Sequence, residues 1–204
     1  MGIAQPRVTI YTFLVHNNSL MTLPFSSPAP AANPVVRTAN RADVEQIWTL
    51  VSCYVAEGLM LPRTIEQVTI GIDNYVVAAM GSRVVACAAL DEYSPSLAEV
   101  SSVAVAKSEH GKGLGTEVVL GVERLARARD IGEIFALSLS DRFFLSLDYE
   151  GTSVSRYPEK LARYEQLASA GVEIIPKRCF KKVLGNTWEM PVLYDEPARQ
   201  LRAS

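Results

Sequence analysis

Three glycines at alternate positions, Gly111, Gly113 and Gly115, stand between an apolar strand and an amphipathic helix. A turn without side chains at those positions lets main-chain N–H groups close on an anion, and the helix that follows points the positive end of its dipole at the same charge. The ligand this suits is a diphosphate. A Walker phosphate loop requires Ser or Thr directly after its lysine, and Lys112 is followed by Gly113. A dinucleotide fold would place its third glycine where Thr116 stands, on the first strand of a parallel sheet. A tight strand-to-helix turn with no ligand is the plain alternative. The remaining ligand reading is a cradle for the pyrophosphate of an acyl-coenzyme A.

The elements that must hold this turn are legible in the periodicity. Val35 to Arg37 reads as a short strand, and Ala42 to Ala56 as a helix with Val44, Ile47, Trp48, Val51 and Val55 on one face and Asn40 as its N-cap. Thr64 and Gln67 stand at capping-box spacing ahead of a second helix that runs to Ile72. The period then changes to that of strands. Tyr75 to Met80 and Arg83 to Leu90 form a hairpin about Gly81-Ser82, Asp91 to Ser96 a loop, and Ala98 to Ala106 a third antiparallel strand. After the glycines, Thr116 to Arg129 is helical, Ile134 to Leu137 is a buried strand and Arg142 to Leu147 a helical turn. Pro158 to Ala170 forms the last helix and Cys179 to Leu184 the last strand.

Composition narrows the function classes. A chain of 204 residues, 49% hydrophobic and 21% charged, can bury one substantial core. Residues 1–34 read as a flexible N-terminal extension ending in a Ser/Pro/Ala/Asn stretch, residues 35–190 as the folded domain and 191–204 as a tail. A formal net charge of -2 with no dense Lys/Arg block gives no electrostatic case for nucleic acid or an anionic membrane surface. Three separated cysteines and two histidines argue against a disulfide framework or a metal cluster. The apolar run Val8 to Val15 is too short to span a bilayer. It imitates a signal peptide, but four prolines follow between Pro24 and Pro34, and a cytoplasmic location is expected.

The segment His110-Gly111-Lys112-Gly113-Leu114-Gly115 resembles the Arg/Gln-x-x-Gly-x-Gly/Ala signature of the GNAT superfamily of N-acetyltransferases, with histidine in the first place. Phe143-Phe144 followed by Asp148-Tyr149 is similar to the Phe-Phe-x-x-x-Gly-Phe segment of that superfamily, with Asp148 in the glycine position. Cys87 to Leu90, Ala98 to Val105, Phe135 to Ser138, the run from Gly58 through Arg63 to Gln67, and Tyr157 to Lys160 resemble segments of N-acetylglutamate synthases and their stand-alone relatives. The resemblance runs from about Val35 to Gly185. It implies an α/β GNAT fold, a central mixed, mostly antiparallel twisted sheet flanked by helices. It also implies acetyl transfer from acetyl-CoA to the α-amino group of an amino acid, L-glutamate in arginine biosynthesis, with no metal. A homodimer is in keeping with that superfamily. A protein N-terminus, a lysine or a polyamine as acceptor, and a CoA-binding sensor without turnover, stay open as alternatives.

Transfer of this kind needs a base for the incoming ammonium, donors for the developing oxyanion and a proton for the departing thiolate. By the resemblance, Glu99 is the base, and N–H groups near Val103 serve the oxyanion. Ser138 and Tyr149 are the two candidates for the thiolate. Val103, Ala104 and Val105 offer strand backbone to the pantetheine arm, and His110, Gly111, Lys112, Gly113, Leu114, Gly115 and Thr116 surround the diphosphate. A dicarboxylic acceptor calls for cations, guanidinium above all. Arg63 is the first choice, with Arg142, Lys177 and Arg178 behind it.

Overall fold

The computed structural model describes residues 33–185, so the expected extension and tail lie almost wholly outside the described residues. Strand β1 (Val35–Thr38) leads through a 3-10 turn to helix α1 (Val44–Ala56) and helix α2 (Ile65–Ile70). Strands β2 (Tyr75–Met80), β3 (Arg83–Ser94) and β4 (Leu97–Val105) follow, then helix α3 (Leu114–Ala128) and strand β5 (Glu133–Ser138). Helix α4 (Asp141–Leu145), strand β6 (Glu150–Thr152), helix α5 (Pro158–Ser169) and strand β7 (Arg178–Val183) complete the chain order. The seven strands form one sheet in the order β1-β2-β3-β4-β5-β7-β6, antiparallel everywhere except between β4 and β5. This is the mixed, mostly antiparallel architecture that the sequence implies.

Local chemistry accounts for most of the boundaries. Asn40 caps the turn before α1 by accepting from Ala42 N–H, while Asp43 accepts from Asn40 N–H. The Thr64/Gln67 capping box forms in both directions, at 3.1 and 2.9 Å. One expectation changes. The segment expected as a loop from Asp91 to Ser96 is mostly strand, because β3 runs on to Ser94 with Asp91 opposite Glu99 and Glu92 opposite Ala98. Its charged residues conceal the strand from a reading based on apolar alternation. The three-residue β6 went unrecognised because it is too short for any period to show.

The sheet buries both faces. Val76, Ala78, Ala88, Leu90, Ile134 and Ala136 pack against α3 through Val118, Val119 and Val122. On the other face Tyr75, Val77, Cys87 and Ala89 meet Ile47, Val51 and Val68 of α1 and α2. Helix α3 sits close to the strands at Gly121, where an added Cβ would come 2.6 Å from Val76 Cγ1. A third cluster joins Phe135 to Tyr157, with rings stacked at 3.9 Å.

One irregularity decides where the site forms. Ala89 pairs with Ser101 and Cys87 with Ala104, so Ala88 alone faces two residues of β4, Ser102 and Val103. The extra residue is a β-bulge, and it reverses the faces of the strand. Ala98 and Val100 belong to the α3 core before it, whereas Ala104 belongs to the α1 core after it. Ser102 has a φ of 52°, a left-handed conformation uncommon for serine.

Candidate active site

Strands β4 and β5 pair only from Leu97 to Glu99, opposite Glu133 to Phe135. Beyond Glu99 they diverge. The opening is the mouth of a cavity of about 520 Å3, lined by residues of β4, β5, α5 and the segment before α2. Along β4 the direction of the amides alternates: Ala106 N–H donates to Val85 O of β3 at 2.8 Å, so Val105 and Val103 turn theirs to the cleft side. Val103 lines the cavity.

The glycine turn lies at the end of β4. Gly111 and Gly113 take φ values of 77° and 79°, which a side chain would resist, and Gly113 is the N-cap of α3. The main-chain N–H groups of residues 111–116 have no acceptor among the described residues. Six adjacent free amides at a helix start suit a diphosphate, so the residues present fit the phosphates of coenzyme A. Lys112 binds Glu109 at 2.8 Å. Phe143 packs beneath the turn, its ring 3.4 Å from where a Cβ on Gly115 would stand.

His110 and Val105 are engaged by a residue that the sequence reading missed. The Tyr54 hydroxyl donates to Val105 O at 2.6 Å and accepts from Val105 N–H at 3.4 Å. His110 Nε2 lies 2.9 Å from that hydroxyl and 3.1 Å from the same carbonyl. Because the phenolic proton is already given to Val105 O, Nε2 must carry a proton to satisfy both contacts. Val105 is therefore not freely available to a pantetheine arm, contrary to expectation; Val103 is. Ala104 turns its side chain into the core.

Glu99 is 4% exposed and lines the cavity. Both its oxygens accept from Lys160 Nζ at 2.8 Å, and Oε2 also accepts from the Tyr93 hydroxyl at 2.9 Å. Ser138 lines the cavity, and its Oγ accepts from Ser140 N–H at 2.9 Å, which leaves its own proton free to donate. Tyr149 does not line it. Asp148 enters the left-handed region with a φ of 62°, as its place in the glycine position requires, and Tyr149 turns into the α3 core against Phe144. Burial, together with the Glu123 carboxylate, raises the Tyr149 pKa far above the usual phenol value. As a proton donor to the cleft it is set aside.

The cations divide in the same way. Arg63 and Lys177 reach the cavity; Arg142 and Arg178 do not. Arg142 is exposed on α4, and Arg178 pairs with Asp141 at the surface because Cys179, next to it on β7, takes the inward direction. Arg63 is held by Asp91, by Ser101 Oγ at 3.0 Å and by Ser102 Oγ at 3.0 Å. Among the described residues Lys177 donates to Leu59 O, at 2.7 Å. Burial and the neighbouring Lys160 ammonium hold its pKa below the ordinary lysine value. Lys160 and Arg163, both on α5, join the lining although neither was singled out; Lys160 stands in a segment quoted for its resemblance, and Arg163 carried no signal. Among the described residues, Arg63, Lys160, Arg163 and Lys177 face two carboxylates, Asp91 and Glu99.

Among the described residues no helix is long and apolar enough to cross a membrane, and no group of three or more potential metal ligands is gathered. The acetyltransferase (GNAT) family profile matches residues 45–145. An uncharacterized N-acetyltransferase of Chlorobaculum tepidum is 33% identical over 134 residues, 66% of this chain and 86% of that protein. The amino-acid acetyltransferase of Mycobacterium tuberculosis is 30% identical over 128 residues, 60% of this chain and 73% of that protein. In fold, the chain is similar to N-acetylglutamate synthase from Neisseria gonorrhoeae, solved with coenzyme A and N-acetyl-glutamate. The TM-score is 0.64 at 22% identity, over 77% of this chain and 36% of that one. Parting strands, a turn of free amides and the match to these relatives converge on one assignment: the chain belongs to the GNAT family of acetyltransferases.

Proposed function

We propose that this acetyltransferase moves the acetyl group of acetyl-CoA to the α-amino group of a dicarboxylic amino acid, L-glutamate, the acceptor expected of an enzyme of arginine biosynthesis. The observation that carries the choice of acceptor is the cationic surplus of the cavity, four cations against two carboxylates, Asp91 and Glu99, among the described residues. Glutamate brings two carboxylates and one ammonium, so its net charge complements that lining. Acetyl-CoA supplies an activated thioester carbonyl. The amides of residues 111–116 hold its diphosphate, and Val103 N–H donates to the carbonyl oxygen as negative charge develops there. Glu99 takes the proton of the acceptor ammonium. Lys160 and Tyr93 place one hydrogen bond on Oε1 and two on Oε2, which leaves a lone pair of Oε1 to take it. As the C–N bond forms and the C–S bond breaks, the second amine proton passes to the departing sulfur, which Ser138 Oγ steadies by donating a hydrogen bond, while Lys177 and Arg163 hold the acceptor carboxylates.

A panel of the twenty amino acids with acetyl-CoA, read as free thiol, tests this directly. Glutamate should be turned over fastest, and turnover of none of them would reject the reading. A polyamine acceptor is disfavoured by the same surplus, since it would bring further positive charge into the cavity.

A further inference from the structure

The expectation that Arg63 reads a substrate carboxylate meets an obstacle in its hydrogen bonds. Three of its five N–H donors are used inside the protein. Nε donates to Ser102 Oγ at 3.0 Å, and Nη2 donates to Ser101 Oγ at 3.0 Å and to Asp91. Ser101 Oγ donates in turn to Asp91 Oδ2 at 2.9 Å, which closes the network. The main chain of Arg63 is anchored too, because Trp48 Nε1 donates to its carbonyl at 3.1 Å. The side chain is 15% exposed, and only Nη1 is without a partner among the described residues.

What the guanidinium grips is the bulge. Ser101 and Ser102 are the two residues immediately before Val103, and Ser102 is the one held at a φ of 52°. Without the bulge, strand alternation would turn the amide of Val103 toward β3 instead of the cleft. A left-handed serine persists only where its surroundings over-determine it, and here the Arg63 fork, tied to Asp91, does so. We infer that Arg63 is a positioning residue: with Asp91 it locks the β4 bulge and so aims the Val103 N–H at the thioester carbonyl. The inference rests on acetyl transfer at this cleft and not on the identity of the acceptor.

Arg63→Met and Asp91→Asn test it through turnover and through hydrogen exchange of the free protein. Loss of the lock should lower kcat by roughly 10- to 100-fold, somewhat less than the effect of removing an oxyanion donor outright, with the acceptor KM changed by less than about threefold. Exchange at the amides of residues 101–104 should quicken in both variants. The double variant should be no worse than Arg63→Met, because both changes break one network. Adding Ser102→Gly, which tolerates the left-handed conformation, should restore part of the lost kcat in Arg63→Met. An acceptor KM that rises as much as kcat falls, an unchanged kcat, or unchanged exchange at residues 101–104 would each overturn the inference. If Arg63→Met does not fold, Arg63→Lys supports the same comparison, since one ammonium does not reproduce the fork. If the wild type turned over no acceptor, the proposed function would fail, and the exchange measurement would still decide whether Arg63 locks the bulge.

Discussion

Lys160 Nζ lies 2.8 Å from both carboxylate oxygens of Glu99, and each side chain is only 5% exposed. The two residues are 61 positions apart and meet where β4 and β5 begin to part. A buried pair of this kind stabilises little relative to apolar groups of the same shape, but removing one partner leaves the other uncompensated.

Glu99→Gln should therefore have two separable effects. Turnover should fall by roughly 10²- to 10⁴-fold for loss of a general base, with acetyl-CoA affinity nearly unchanged in calorimetry. Stability should also fall, by about 3 kcal/mol in urea unfolding, because Lys160 is left buried without a carboxylate. Adding Lys160→Met should recover the stability and not the turnover. Recovery of both would remove Glu99 from the chemistry.

Gly113→Ala isolates the anion turn. Nothing lies within 4 Å of an added Cβ, so the cost comes only from the φ of 79°. A penalty of about 1 to 2 kcal/mol there should either weaken acetyl-CoA binding by about tenfold or reappear as lost stability of the free protein. Calorimetry and thermal unfolding on the same sample divide the two, and wild-type values in both would show that the turn does not need the glycine.

The acceptor KM should depend on alkaline pH through Lys177. Its pKa is lowered by burial and by the Lys160 ammonium, so it loses its charge at lower pH than an ordinary lysine as the solution becomes alkaline. The KM should rise before the usual lysine range is reached. Lys177→Arg keeps the charge throughout and should flatten that limb; the same rise in the arginine variant would place its origin elsewhere.

Of the three cysteines, only Cys53 should react with iodoacetamide at about pH 8. Burial pushes the Cys87 thiol up to about 12 and the Cys179 thiol up to about 11, and both are shielded within the core. Peptide mapping of the native protein should find a single carbamidomethyl site. Rapid labelling of Cys179 would mean that the β7 side of the cleft opens in solution.

Much of the scaffold was legible because its signals are local. The Thr64/Gln67 box, the Gly81-Ser82 turn and the glycines at the start of α3 each state a backbone requirement within a few residues. Asp148 in a glycine position announced its left-handed φ in the same way. Tyr149 was misjudged because its position in a segment does not reveal which way a turn faces it, and Arg142 and Arg178 because a charge near a cleft in sequence need not point into it. Tyr54, Lys160 and Arg163 were missed for the converse reason, since helices α1 and α5 bring them to the site from afar.

The anion turn, the helix caps, the hairpin and the strand that leads to the cleft follow from residue order alone, because short-range sterics and hydrogen bonds specify such features within one segment. That Glu99 meets Lys160, that Tyr54 covers Val105, and that Arg63 grips the bulge instead of standing free emerges from the packed chain. Those relations depend on strand register, and one extra residue at Ser102 turns every later side chain of β4 to the opposite face, a change that no local pattern records.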